Sequence, residues 1–286
     1  MLQAIIFDFD GVLADTEMLH LRAFQEVFRE QGVELRAADY YARYVGLDDY
    51  DVLRSVARDC GLVLCDTRLA SMLEDKAARY ARLIATTPVV YEDVEQRVRE
   101  WSHEVPLAIA SGALRTEIEA ILRRNDLLSC FAAIVTAKDV ARGKPAPDAF
   151  LAALERLQAA RHGKADALPY RGGGPPADIG PRGSTSSPRP DSAGSPARQP
   201  RWGAHVEGRT SDPGRRGGPI ESRRTVAIED SPPGIEAARA AGMRTIGVTT
   251  NCAAGQLEAD LVVPSVAALD LPTLERLVSA SPSERR

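Results

Sequence analysis

The sequence predicts an α/β fold, a Rossmann-like doubly wound parallel sheet with a small inserted α-helical cap domain. Two observations carry this. Short apolar runs rich in β-branched residues alternate with helix-periodic segments, and a purely helical block separates the first such run from the rest. Strand and helix in alternation are the mark of right-handed crossovers onto a parallel sheet. At 286 residues the chain is long enough to bury a substantial core, as one large domain or two smaller ones.

The elements follow in order. Residues 3–9 form a strongly apolar run typical of a central strand covered on both faces. From about residue 18 to 63 the pattern is helical, with Leu21, Phe24 and Phe28 on one face and Gly32 placed to end that helix, and further helical segments reach about residue 84. Strand signals resume with PLAIAS (106–111), before a helix in which Ile118, Ile121 and Leu122 share a face. AAIVTA (132–137) then precedes KPAPDAFLAALERL (144–157). After Arg223 the alternation returns as TVAIED (225–230), an alanine-rich helix over about 234–241, TIGVTT (245–250) and LVV (261–263). The predicted core is therefore 1–15, 88–160 and 225–280, with a helical cap over 16–87.

Residues 161–224 break the pattern. They are rich in Gly, Pro, Ser and Arg and poor in aliphatic residues, so they bury too little apolar area to offset ordering entropy, and disorder is expected. Their net charge is about +6. An arm for RNA or an acidic partner is one reading; a tolerated surface insertion is favoured, because Pro and Gly dilute the arginines and Tyr170 and Trp202 alone offer rings for stacking.

Composition narrows the class. Lys and Arg number 36 against 40 Asp and Glu, a net charge of −4 that gives no global basic field for nucleic acid. Cys60, Cys65, Cys130 and Cys252 show no C-x-x-C spacing, which suggests neither a zinc site nor a disulfide framework. The amino-terminal residues have no basic, signal-like region, and no apolar run is of membrane-spanning length. A cytoplasmic monomer, without nucleic-acid or membrane partners, is expected.

Ligands of open α/β sheets bind beyond the carboxyl ends of the strands. Asp8 and Asp10 stand at one such end, and residues two apart in a strand point the same way. Two close carboxylates repel unless a cation holds them, and Mg²⁺ is the natural oxygen-seeking partner; it would leave Asp8 ionised as a nucleophile. Glu229 and Asp230 follow another strand and would complete the oxygen shell. Gly11 lets the chain turn sharply away.

The stretch FDFDGVLADTE (7–17) is similar to the nucleophile motif of the haloacid dehalogenase superfamily, and the remaining family motifs occur in order. IASG resembles the second motif and assigns Ser111, with the amides of Gly112 and Ala113, to the transferring phosphoryl oxygens. KPAPDAF resembles the third, in which Lys144 neutralises Asp8 and phosphate together. IEDSPPGIEAARAAGM resembles the acidic fourth motif of the members whose helical cap follows the first strand; there Asp230 is a metal ligand and Glu229 a ligand or its neighbour. The resemblance spans almost everything outside 161–224 and is nearest the phosphoglycolate phosphatase and β-phosphoglucomutase-like subgroup.

That resemblance implies phosphoryl transfer. Members with an acid two residues after the nucleophile use it as general acid and base, whereas those that cleave carbon–halogen bonds lack it, so Asp10 argues against dehalogenation. The implied enzyme is an Mg²⁺-dependent phosphatase of a small phosphomonoester, with catalytic Asp8, Asp10, Ser111 and Lys144, metal ligands Asp8, Asp10, Glu229 and Asp230, and an aspartyl-phosphate intermediate. A sugar phosphomutase is the alternative, and a non-catalytic binding protein a third reading. Thr16 and His20 occupy places where the mutase subgroup carries similar residues, and Lys76 falls in a helix able to face the site, so all three are candidate substrate-binding residues. The mutase subgroup also holds a second phosphate with an arginine in the cap loop; here residues 44–53 are acidic, and Arg43 and Arg54 are the nearby substitutes. Hinges are expected near 15–16 and 87–88.

Overall fold

The computed structural model describes residues 1–45, 47, 49–162 and 218–280. Six parallel strands form one sheet: β1 (Ala4–Phe7), β2 (Leu107–Ser111), β3 (Phe131–Thr136), β4 (Thr225–Glu229), β5 (Arg244–Val248) and β6 (Leu261–Val263), in the order β3-β2-β1-β4-β5-β6. The predicted fold class is present. Order reverses beside β1, and its carboxyl end is therefore where an α/β sheet opens a crevice for ligands.

Alternation along β1 divides the core. Ile5 and Phe7 face one layer with Trp101, Ile118, Ile121 and Leu274; Ala4 and Ile6 face the other with Phe150, Ala153, Leu157 and Ala237. The first layer is supplied by α5 (Glu92–Ser102), α6 (Arg115–Arg124) and α9 (Leu271–Ser279), the second by α7 (Asp148–Arg161) and α8 (Pro232–Ala240). Phe7 stacks on Trp101 with centroids 6.3 Å apart and meets Phe131 edge-on at 6.1 Å.

Between β1 and α5 lie α1 (Glu17–Arg29), α2 (Ala37–Arg43), α3 (Asp49–Asp59) and α4 (Asp66–Thr86). They close on a core of their own that includes Phe24, Phe28, Tyr40, Val56 and Met72. Leu19, Ala23, Tyr80 and Ile84, from the other faces of α1 and α4, join the sheet core instead. Arg124 of α6 adds a polar tie, donating to the carbonyls of Ile84, Thr86 and Thr87 at the end of α4. These are orphan acceptors of a helix carboxyl end, and the guanidinium satisfies them across the predicted hinge.

Several elements differ from expectation. The first strand stops at Phe7, two residues early, where the chain bends into the site. Helices α5 and α9 were not foreseen; Val94, Val98 and Trp101 in α5 do carry a helical stripe, among many charges. Helix α8 starts at Pro232, because Ser231 accepts from the Gly234 amide at 3.2 Å and proline suits a first helical turn. Of the expected insertion over 161–224, residues 163–217 lie outside the described residues. Its last part is packed: Ile220 is buried in the second layer and its amide donates to Gln158 Oε1 at 2.5 Å. Among the described residues no helix is long and apolar enough to cross a membrane.

Candidate active site

The site assembles from strand ends. Asp8 follows β1 and continues its ladder, its amide donating to the Ile228 carbonyl at 2.9 Å. Glu229 ends β4, Asp230 follows it, and Ser111 ends β2; all four side chains are buried. Lys144, on the loop before α7, donates to Asp8 Oδ1 and to Glu229 Oε1, each at 2.5 Å, and lies over the Phe150 ring. One ammonium thus ties together carboxylates from two neighbouring strands.

Glu229 is completely buried, and its second oxygen accepts from the Asp230 amide at 3.0 Å, the Ser231 amide at 3.1 Å and the Ser231 hydroxyl at 2.9 Å. Gly234 makes room for it: a Cβ there would stand 1.8 Å from Oε1. Asp230 is gripped from the other side by Asn251 Nδ2 at 2.6 Å. Gly11 has φ +78°, and a Cβ on it would fall 2.1 Å from Asp230 Oδ2, so both conformation and space require glycine. The Gly11 carbonyl accepts from the Thr250 hydroxyl at 2.5 Å. Ser231, Gly234, Thr250 and Asn251 were not singled out from the sequence; the polar TTN following an apolar strand was the available signal.

Asp10 takes another direction. Its Oδ1 accepts from the Thr16 hydroxyl at 2.5 Å, and Thr16, although it stands at the N-cap of α1, makes no capping bond with its side chain. Candidate metal-holding atoms of Asp8, Glu229 and Asp230 lie within 4.8 Å of one another, and Asp10 is not part of that group. Three of the four expected ligands are therefore gathered, with the Asp10 side chain set apart as an acid held by a hydroxyl. Ser111 Oγ accepts from the Ala113 amide at 3.1 Å, and Gly112 is exposed just before α6.

The electrostatics suit a cation. Three carboxylates share the site with Lys144, so the charges do not balance. Burial raises Asp8 well above the usual carboxylate range, against the pull of Lys144 and with the push of Glu229, Asp230 and Asp10. Burial and then Glu229 push Asp230 up to about 7. Burial also lowers the charged form of Lys144, but Asp8 and Glu229 outweigh it and hold the ammonium protonated. A buried all-oxygen set with surplus negative charge fits a hard divalent ion such as Mg²⁺. Asp10 is raised as well, by burial, against its Thr16 bond and the charges of Lys144 and Lys76.

The expected cap residues form a second cluster. Lys76 is fully buried rather than solvated; its ammonium donates to both oxygens of Asp49 at 2.7 Å and to His20 Nδ1 at 2.8 Å, over the rings of Phe24 and Tyr80. His20 stacks on Tyr80 with centroids 4.1 Å apart, and the Tyr80 hydroxyl feels the charge of Asp10, so the cluster reaches toward Asp10. Burial, then the Lys76 charge, holds His20 well below its ordinary value. The two arginines suggested as phosphate holders are engaged elsewhere: Arg43 pairs with Asp59, and Arg54 lies on the Tyr50 ring and donates to its hydroxyl.

Comparison with known proteins agrees with this geometry. The haloacid dehalogenase-like hydrolase family matches residues 5–164. Protein CbbY of Rhodobacter capsulatus is 31% identical over 166 residues, 54% of this chain and 72% of its own. Fructose-1-phosphate phosphatase YqaB of Escherichia coli is 31% identical over 155 residues, 54% of this chain and 79% of its own. The crystal structure of CbbY from Rhodobacter sphaeroides in complex with phosphate superposes with a TM-score of 0.65 at 23% identity, covering 96% of this chain and 99% of that one. The family match ends at residue 164, yet β4 returns Glu229 and Asp230 to the strand that carries Asp8. On the family match, the relatives and the shared fold, this chain belongs to the haloacid dehalogenase-like hydrolases.

Proposed function

We propose that this hydrolase is a phosphoric monoester hydrolase that removes phosphate from a small phosphorylated sugar or similar metabolite, with Asp8 as nucleophile. The carrying observation is the Asp8 carboxylate at the carboxyl end of β1, fixed by Lys144 beside Glu229 and Asp230. Asp8 attacks phosphorus in line, the bond to the leaving oxygen breaks, and Asp10 gives that oxygen its proton; its raised proton affinity supports this role. Asp10 then takes a proton from water as it attacks the aspartyl phosphate, releasing inorganic phosphate and restoring Asp8. Ser111 and the amides after β2 hold phosphoryl oxygens, and Lys144 spreads the charge. Mg²⁺ would be held by Asp8 and Asp230 with Glu229 behind them, and would neutralise the phosphoryl oxygens.

The names of YqaB as a fructose-1-phosphate phosphatase and of other relatives as phosphatases support a sugar phosphate as substrate. The test is phosphate release from a panel of hexose, pentose and glycolate phosphates with and without Mg²⁺. Release that depends on Mg²⁺ and falls by at least about a thousandfold in Asp8→Asn is expected. A folded wild type that releases none, but isomerises a sugar phosphate when primed with a bisphosphate, would replace this reading with a phosphomutase.

A further inference from the structure

The cap wall beside the site holds a cation that is already neutralised. Lys76 has three N–H donors, and Asp49 and His20 take them at 2.7 and 2.8 Å. An ammonium only donates, so Nδ1 of His20 is the acceptor; the imidazole is neutral and carries its proton on Nε2. Asp49 remains 38% exposed, whereas Lys76 is not exposed at all. Glu117, at the start of α6, feels both Lys76 and Asp49, which brings this cluster beside the core helix that borders the site. Arg43 and Arg54 are engaged with Asp59 and Tyr50. What this cluster of described residues offers is then carboxylate acceptors and a neutral N–H, a set that suits hydroxyl groups and repels a second anion.

We infer that Asp49 is a specificity-determining residue: by capturing Lys76 it makes the cap select monophosphates whose leaving group is uncharged and hydroxylated, and discriminate against bisphosphates. The inference rests on the phosphatase reading. A second phosphate approaching Lys76 meets the Asp49 carboxylate first, and like charges in a partly desolvated site cost binding. Release of Lys76 by removal of that carboxylate leaves a buried cation in search of an anion.

The experiment compares kcat/KM for fructose 1-phosphate and fructose 1,6-bisphosphate in the wild type, Asp49→Asn and Asp49→Ser, with folding checked by circular dichroism and p-nitrophenyl phosphate as a substrate with no hydroxylated portion. The wild type is expected to prefer the monophosphate. Both variants should raise the bisphosphate-to-monophosphate ratio by about tenfold or more, mainly through a lower KM for the bisphosphate, as gain of one net positive charge near the ligand requires. A wild type that handles both equally well, or a ratio unchanged in both folded variants while monophosphate turnover persists, would overturn the inference and leave the phosphatase reading standing. Absence of phosphate release from all three compounds, p-nitrophenyl phosphate included, would overturn both.

Discussion

Lys144 and Lys76 are both buried ammonium groups in carboxylate company, and they are built into opposite situations. Lys144 bridges Asp8 and Glu229, two groups of the sheet that themselves belong to the site. Lys76 pairs with one half-exposed carboxylate and a neutral imidazole inside the cap. The first arrangement leaves a surplus of negative charge that a cation would balance; the second is already balanced. On the proposed function, the core pair belongs to the chemistry and the cap pair to the choice of substrate.

The strongest way to break this comparison is to remove each charge. Lys144→Ala leaves Asp8 and Glu229 buried without their counterion. A stability loss of about 3–5 kcal/mol is expected by denaturant titration, together with loss of turnover. Lys76→Met keeps the apolar volume and leaves Asp49 able to reach water, so stability should change by about 1 kcal/mol or less. Equal losses in the two variants would mean that the cap pair is as structural as the core pair. The bisphosphate test on Asp49 sharpens the same contrast at the level of specificity.

A smaller effect comes from pH. Burial, opposed by Lys76 and assisted by Asp49, pushes Glu117 up to about 7 from an ordinary 4.5. The folded protein then keeps a proton that the unfolded chain has lost, so stability falls as pH rises from about 4.5 to about 7 and levels off above. Glu117→Gln should flatten that part of the thermal-stability profile relative to wild type. An unchanged slope in the variant would assign it to other groups.

Legibility in the sequence followed the same division. Most core motifs sit directly after apolar strands, and a strand end is a local pattern, so Asp8, Asp10, Ser111, Glu229 and Asp230 could be placed at the carboxyl edge of the sheet without coordinates, whereas Lys144 lies on a longer loop before α7 and stood out through the KPAPDAF stretch. The part played by each oxygen could not. Asp10 was expected to face the site beside Asp8 because side chains two apart share a strand face; β1 ends at Phe7, and in the structure the Asp10 carboxylate accepts from Thr16. Asn251 and Thr250 come to the site from the end of β5, far along the chain from Gly11 and on a segment with no recognisable motif. The Asp49 and Lys76 pair joins α3 to α4 across 27 residues, and neither periodicity nor composition encodes such a meeting. Helix α5 shows a different failure: its charge-rich surface hid a stripe of Val94, Val98 and Trp101 that packs on the sheet.

The central claim is that Asp8 carries the phosphoryl group. The most direct measurement is acid-quenched peptide mass spectrometry after mixing with p-nitrophenyl phosphate and Mg²⁺, using Asp10→Asn to slow breakdown of the intermediate; its leaving group departs without a proton, so formation continues. The account predicts a phosphoryl group on Asp8, lost when Asp8 is also replaced by Asn. Phosphorylation of another residue, or steady release of p-nitrophenol in the Asp8→Asn protein, would contradict it.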